Sequence, residues 1–248
     1  MGERAGALER PDGHRLAWRA VDGSGPTVVW LGGFRSDMTG TKAQVLADWA
    51  LARGRSFLRF DYFGHGASSG DFVDGSIGRW RDDALAVVDQ LVEGPVILVG
   101  SSMGGWIACL AALARGEQVS GMVLIAPAAD FTSALIEPSL SDEARADLAR
   151  EGVWMQPSDY EGGGYPITRR LLEDGRAWSI LPGPVEIAPP VRILQGGGDD
   201  AVPWRHALSL AEALTAQDVV FTLIKDGDHR LSRPQDLTRL VRAVEELG

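Results

Sequence analysis

The fold of this 248-residue chain is decided by one stretch, Val96-Ile97-Leu98-Val99-Gly100-Ser101-Ser102-Met103-Gly104-Gly105-Trp106. Its apolar, β-branched start is typical of a buried strand, and residues 104–115 predict a helix. Glycines two positions before and two after Ser102 let the strand and helix backbones approach without a Cβ clash. A strand–turn–helix bend of this kind exposes a nucleophilic serine, so Ser102 is the candidate nucleophile. Ser101 has the wrong spacing, and the alternative role for Ser102 is a helix cap.

Apolar runs alternate with helical patterns on both sides of this bend. The predicted strands are residues 27–31, 56–60, 96–99, 122–125, 191–194 and 219–224. The predicted helices are residues 41–53, 76–91, 104–115, 204–213 and 234–247. The turn Pro11-Asp12-Gly13 predicts an N-terminal β-hairpin. This order predicts an α/β fold, a mostly parallel sheet flanked by helices, in a single domain over residues 1–248.

One connection, residues 131–182, is about twice as long as a single helical crossover needs. Short helices are expected over 142–150 and 166–178. We expect this segment to be an insertion or lid over the sheet. Its aromatic side chains are candidate substrate contacts: Trp154, Tyr160 and Trp178.

The composition excludes several classes of protein. With 34 acidic and 24 basic residues the formal charge is −10, which argues against nucleic acid as a partner and against a polybasic membrane anchor. A single cysteine, Cys109, excludes an internal disulfide and a cysteine-based metal site. The first residues lack the pattern of a signal or transit peptide, which predicts a cytoplasmic protein. The oligomeric state is left open.

A serine hydroxyl needs a base to take its proton, and the base needs an acid to orient it. At nucleophile bends of this kind the acid and then the histidine follow the serine along the chain. Only His206 and His229 come after Ser102, and His229 alone lies on a loop after the final strand. The acid is expected to be Asp199, with Asp200 as the alternative and Asp130 less favoured.

Two further features complete the predicted site. The oxyanion of acyl transfer needs N–H donors, and we expect the backbone N–H groups of Met103 and Phe34 to supply them. A plain glycine turn is the alternative role for Gly32-Gly33-Phe34. Although Asp199, Asp200 and His206 are potential metal ligands, their spacing does not support a metal site. We therefore expect neither a metal nor a cofactor.

The bend at Ser102, the acid and His229 together resemble the α/β-hydrolase superfamily. The superfamily's glycine-rich turn resembles the stretch Arg59-Phe60-Asp61-Tyr62-Phe63-Gly64-His65-Gly66-Ala67-Ser68. Further stretches resemble the mitochondrial palmitoyl-protein thioesterases of the α/β-hydrolase-domain group, which also hydrolyse acyl glucuronides. They include Gly40-Thr41-Lys42-Ala43, Gly152-Val153-Trp154, Val202-Pro203-Trp204 and Asp228-His229-Arg230. The resemblance implies that Ser102, Asp199 and His229 match the family's catalytic triad.

The predicted function is that of a serine hydrolase which cleaves carboxylic esters or thioesters of acyl chains through an acyl-enzyme. Its expected substrates are small-molecule esters and acyl thioesters, including S-acylated proteins. The same triad could instead serve acyl transfer, cofactor-free perhydrolysis or C–C bond hydrolysis. A non-catalytic small-molecule receptor is the alternative outside enzymes, because a fold alone does not fix function.

Overall fold

The computed structural model describes residues 2–157 and 164–248, and their order of elements follows the predicted alternation. The strands are β1 (Arg4–Glu9), β2 (Arg15–Val21), β3 (Ser24–Leu31), β4 (Arg55–Phe60), β5 (Val96–Ser101), β6 (Val119–Ile125), β7 (Val153–Gln156), β8 (Tyr165–Thr168), β9 (Val191–Gly196) and β10 (Val219–Ile224). The helices are α1 (Thr41–Arg53), α2 (Ile77–Leu91), α3 (Met103–Ala114), α4 (Glu137–Ser139), α5 (Asp142–Glu151), α6 (Arg169–Ala177), α7 (Trp204–Ala213) and α8 (Pro234–Glu245).

Eight strands form one sheet in the order β1-β2-β4-β3-β5-β6-β9-β10. The predicted N-terminal hairpin pairs β1 with β2 antiparallel, and β2 pairs antiparallel with β4. From β4 to β10 neighbouring strands are parallel. Every residue of β5 is buried, as expected for an apolar strand covered by helices on both faces. The predicted mostly parallel α/β sheet is therefore confirmed.

Two apolar layers cover the sheet. On one face α1 and α8 pack together and bury small and aliphatic residues such as Ala43, Leu46 and Leu240. On the other face α2, α3 and α7 cover a larger cluster, which contains the fully buried Trp80 and Trp106. The layers leave the carboxyl ends of the parallel strands as the open edge of the sheet.

The sequence predicted a helix over residues 166–178, and here the structure differs. Residues Tyr165–Thr168 form β8, which pairs antiparallel with β7 in a separate two-stranded sheet, and α6 begins only at Arg169. Pro166 stands opposite Met155 in this short hairpin, where an edge strand tolerates a residue without an N–H. The Thr168 hydroxyl accepts a hydrogen bond from Leu171 N–H at 3.0 Å and so caps the helix.

The connection between β6 and β9 is held together at its two ends. It begins with a π-helical turn at Thr132–Ile136 and contains α4, α5, the β7–β8 hairpin and α6. The buried carboxylate of Asp130, just before this turn, accepts hydrogen bonds from the Ser179 hydroxyl and from the N–H groups of Ile180 and Leu181, just after α6. We call this contact the Asp130 clasp.

The sheet order places a crevice at the carboxyl ends of β3 and β5. These two strands are neighbours, but the chain leaves β3 towards β4 on one side, whereas β5 continues towards β6 on the other. The loops after adjacent strands therefore diverge and leave a gap, which is where ligands bind in open α/β sheets. Ser102 follows β5 directly, so it lies at this crevice.

Candidate active site

Ser102 lies in the tight bend between β5 and α3. Its backbone has φ 55° and ψ −119°, a strained conformation for a residue with a side chain. A Cβ on Gly100 would lie 2.3 Å from the Gly104 carbonyl oxygen, and one on Gly104 would lie 2.1 Å from the Leu31 carbonyl oxygen. Both positions therefore need glycine. The Ser102 N–H donates to the Ile125 carbonyl at 2.9 Å, which ties the bend to the end of β6.

His229 connects the serine to a carboxylate. Its Nε2 lies 3.1 Å from Ser102 Oγ, and its Nδ1 lies 2.8 Å from Asp199 Oδ2. An ionised carboxylate only accepts hydrogen bonds, so Nδ1 carries the proton and Nε2 is free to accept one from the serine hydroxyl. The His229 side chain is 23% exposed, whereas the Asp199 side chain is fully buried. The structure thus brings together the three side chains predicted from sequence.

Asp199 is held by donors from its own loop. Its Oδ1 accepts hydrogen bonds from the N–H groups of Ala201 and Val202, at 3.0 and 2.8 Å. Its Oδ2 accepts a further bond from Gln195 Nε2 at 3.1 Å. Gln195 is fully buried, and sequence reasoning missed it. Its position four residues before Asp199, at the end of β9, was the available signal. Four donors in all stabilise the ionised carboxylate and fix its direction.

The other predicted candidates for acid and base lie elsewhere in the structure. The Asp200 side chain is exposed and makes no described contact with His229. Asp130 forms the Asp130 clasp. His206 Nε2 donates to the Ala129 carbonyl at 2.7 Å, and burial lowers the pKa of its imidazole. The geometry therefore favours Asp199 and His229 over these alternatives.

Two backbone N–H groups border the serine where the oxyanion was expected. Met103 is the first residue of α3, and the first N–H groups of a helix have no partner within it. Phe34 lies in the loop after β3, and its N–H makes no hydrogen bond among the described residues. That loop lies against Ser102, because a Cβ on Gly33 would lie 3.4 Å from Ser102 Cβ. Both predicted donors are thus close to Ser102 and unpaired within the described chain.

Two cavities meet at Ser102 and His229, and both are also lined by Phe34 and Tyr165. The larger has a volume of about 810 Å³. Its walls come mostly from the connection between β6 and β9 and from the loop after β9. They are largely apolar and include Ala128, Phe131, Leu135, Ile136, Ile167, Val202 and Pro203.

The smaller cavity has a volume of about 420 Å³ and a different lining. It lies beside the start of α1, and its walls include Arg35, Ser36, Asp37, Lys42, Arg230 and Ser232. The Lys42 ammonium donates to the Arg230 carbonyl, and burial lowers its pKa to about 8, against the attraction of Asp228. Three cationic side chains therefore line this cavity in a protein whose net charge is −10. No local pattern predicts this grouping, because Arg35 and Arg230 are far apart in the chain.

Two of the predicted aromatic substrate contacts, Trp154 and Trp178, are not among the residues that line either cavity. Trp154 is half-buried on β7, and Trp178 packs on α2, where the Arg81 guanidinium lies 4.5 Å from the centre of its ring. Tyr160 lies outside the described residues. The aromatic residues that do line the cavities are Phe34, Phe131, Tyr165 and, in the smaller one, Trp30.

Residues 2–157 and 164–248 contain no group of three His, Cys, Asp or Glu side chains arranged to hold a metal ion. In the same residues no helix combines the length and the apolar character needed to cross a bilayer. Cys109 is buried in α3, and burial raises the pKa of its thiol to about 12. That thiol is therefore a packing group and not a nucleophile.

Comparison with known proteins identifies the family. The family model described as serine aminopeptidase, S33, an α/β-hydrolase family, matches residues 26–164, more than half of the chain. The chain belongs to this α/β-hydrolase family. This α/β hydrolase is 36% identical to the mitochondrial palmitoyl-protein thioesterase ABHD10 of Bos taurus over 241 residues, which cover 97% of the chain and 78% of the relative. The human protein of the same name matches at the same identity and coverage.

Solved structures agree with this assignment. A protein from Agrobacterium vitis S4 superposes with a TM-score of 0.96 at 48% identity, covering 100% of this α/β hydrolase and 99% of that chain. Mouse α/β-hydrolase domain-containing protein 10 superposes with a TM-score of 0.91 at 34% identity, covering 98% of each chain. The bovine and human relatives are named mitochondrial, whereas the cytoplasmic location of this chain stays a prediction.

Proposed function

We propose that this α/β hydrolase cleaves carboxylic esters or thioesters of acyl chains, with Ser102 as nucleophile, His229 as general base and acid, and Asp199 as the residue that orients His229. One observation carries the proposal. A continuous line of hydrogen-bonding distances runs from Asp199 Oδ2 to His229 Nδ1, 2.8 Å, and from His229 Nε2 to Ser102 Oγ, 3.1 Å. These distances fit proton transfer from the hydroxyl to the imidazole.

Acylation follows from this geometry. Ser102 Oγ attacks the substrate carbonyl carbon while its proton moves to His229 Nε2, and the carbonyl oxygen becomes an oxyanion. The N–H groups of Met103 and Phe34 donate hydrogen bonds to that oxygen. When the C–O or C–S bond breaks, the leaving alcohol or thiol takes the proton from His229. The acyl group is then an ester of Ser102, and the carboxylate of Asp199 has stabilised the imidazolium in between.

Deacylation repeats the path with water. His229 Nε2 takes a proton from a water molecule, whose oxygen attacks the acyl carbon beside the same N–H groups. The bond to Ser102 Oγ breaks, and the proton on His229 returns to that oxygen. The products are the carboxylic acid and the enzyme in its starting state, and no cofactor is required.

The larger cavity is the proposed site for the acyl chain. Its walls are largely apolar, and each methylene buried there contributes about 0.8 kcal/mol of binding free energy. Because the connection over 131–182 forms much of these walls, we propose that it acts as the lid of the single domain. The name of the bovine relative, a palmitoyl-protein thioesterase, supports acyl thioesters and S-acylated proteins as the substrate class.

Labelling with a fluorophosphonate, followed by mass spectrometry of the peptides, tests this function. We expect the adduct on Ser102, its loss in Ser102→Ala and its retention in Ser101→Ala, a matched control one residue away. Nitrophenyl esters and acyl thioesters of increasing chain length should then show turnover with an initial burst of leaving group. An adduct on another residue, or binding without turnover of any of these substrates, would refute the proposal. Added alcohols or peroxide separate hydrolysis from acyl transfer and perhydrolysis.

A further inference from the structure

The loop that presents Phe34 is held in a strained conformation. We call this loop, residues 32–36, the oxyanion loop. Arg35 has φ 54°, in the left-handed region that side chains disfavour. Its guanidinium donates to the Gly164 carbonyl at 2.7 Å, and its backbone N–H donates to His65 Nε2 at 3.2 Å. Strain of this kind persists only where neighbouring groups over-determine it. Within the loop, the Ser36 N–H and hydroxyl donate to the Gly33 carbonyl at 3.1 and 2.8 Å, and the contact to His65 ties the loop backbone to another part of the chain.

The hydrogen bonds of His65 fix which of its nitrogens carries the proton. Its Nδ1 lies 3.1 Å from the Phe63 carbonyl oxygen, which can only accept, so Nδ1 is the donor. Nε2 is then a lone-pair acceptor, as the Arg35 N–H requires. Only 3% of His65 is exposed, and its ring meets Phe72 and Trp80 edge-on at 5.0 and 5.2 Å. Burial lowers the pKa of this imidazole to about 4, so it stays neutral at neutral pH.

We propose that His65 is a positioning residue for the reaction, because its Nε2 anchors the peptide unit that follows Phe34 and so keeps the Phe34 N–H directed at the oxyanion. The inference rests on the proposed function. The Arg35 N–H belongs to the peptide unit directly after Phe34, so fixing it restricts the backbone torsion at Phe34. The mechanism gives His65 no proton transfer and no contact with substrate. Its effect should therefore fall on stabilisation of the transition state.

Three variants test this role. His65→Phe keeps an aromatic ring but removes the acceptor, and His65→Gln places an amide oxygen near the position of Nε2. His14→Phe is the matched control, since His14 also meets an aromatic ring, that of Phe63, at 4.7 Å but makes no contact with the oxyanion loop. The measurements are kcat and KM, the affinity for an acyl trifluoromethyl ketone, which forms a tetrahedral adduct, and the thermal unfolding midpoint.

We expect His65→Phe to lower kcat by about 10- to 100-fold, below the full loss of an oxyanion donor, with KM changed by less than about twofold. The affinity for the trifluoromethyl ketone should fall by a similar factor. His65→Gln should recover most of kcat, and His14→Phe should keep it. A folded His65→Phe with normal kcat, or one that loses only thermal stability, would overturn the proposal. So would a folded His65→Gln that recovers nothing. Failure of the wild-type protein to label at Ser102 would instead reject the underlying function.

Discussion

The two cavities that meet at Ser102 differ in volume and in the cationic residues along their walls. The larger, about 810 Å³, is lined mostly by apolar residues from the connection after β6 and from the loop after β9. The smaller, about 420 Å³, is walled by Arg35, Lys42 and Arg230 beside the start of α1. We therefore expect the first cavity to hold the apolar acyl chain of a substrate and the second to hold a polar leaving group. On this proposal the scissile bond lies across Ser102, between the two cavities.

The largest effect is expected from removal of the Ser102 hydroxyl, because Ser102 lines both cavities. Ser102→Ala should lower kcat by about 10⁴- to 10⁶-fold for every substrate, whatever its acyl chain or leaving group, because the triad acts as a unit. Ser101→Ala should stay within a few-fold of wild type. Steady-state rates on a panel of nitrophenyl esters and thioesters measure this. A loss confined to one class of substrate would mean that the cavities serve separate sites.

The second effect acts on the orientation of His229. Asp199→Asn should lower kcat by about 10³- to 10⁴-fold, since an amide at this position favours the wrong imidazole tautomer. Asp200→Asn, on the exposed neighbour, should change kcat by less than about threefold. The ratio between the two variants should again be the same for all substrates. Comparable losses of kcat in both variants would contradict the assignment of Asp199, rather than Asp200, as the residue that orients His229.

The third effect should act on one cavity alone. Leu135→Trp fills part of the larger cavity, so kcat/KM for long acyl chains should fall by about 10- to 100-fold, the equivalent of a few displaced methylenes. Acetyl and butyryl esters should be hydrolysed at close to the wild-type rate. Leu113→Trp, at a position that is 43% exposed on α3, controls for the added bulk. If kcat/KM fell equally for esters of every acyl chain length, the acyl chain would not bind in the larger cavity.

The smallest effect concerns charge in the other cavity. Lys42→Met should lower kcat/KM by several-fold for esters with an anionic leaving group, relative to neutral ones of equal acyl chain, and Lys42→Arg should not. Burial lowers the pKa of Lys42 to about 8, so its positive charge is present below that pH and is lost above it. In wild type the preference for the anionic leaving group should therefore decline from pH 7 to pH 9. Asp228 opposes this loss and Arg230 promotes it. An unchanged preference would show that Lys42 does not sense the leaving group.

Local signals in the sequence were enough to predict the sheet and to place Ser102, Asp199 and His229 at one edge of it. The strand before Ser102 is continuous and apolar, and its flanking glycines stand where carbonyl oxygens leave no room for a Cβ. Asp199 and His229 each follow directly after a predicted strand, so parallel strands bring them to one edge. These inferences needed local patterns, the expected order of serine, acid and histidine along the chain, and the rule that the carboxyl ends of parallel strands meet.

The lining of the cavities depended on contacts that local patterns do not encode. Trp154 and Trp178 were predicted to contact substrate because they are aromatic and lie in a long connection. In the structure Trp154 lies on β7 and Trp178 packs on α2, and neither lines a cavity. The helix predicted over 166–178 began too early, because hairpin pairing with β7 overrides the preference of Pro166 for the first turn of a helix. The Arg35 N–H donates to His65 Nε2 across thirty residues of sequence, a contact that a sequence pattern does not reveal.

The Asp130 clasp holds the two ends of the connection between β6 and β9 beside each other. Because one carboxylate gathers the chain just before and just after the π-turn, α4–α6 and the β7–β8 hairpin, that segment leaves and re-enters the sheet at nearly one place. We therefore expect that exchange of this segment for one of another length changes the lining of the larger cavity and leaves β6, β9 and the bend at Ser102 in place.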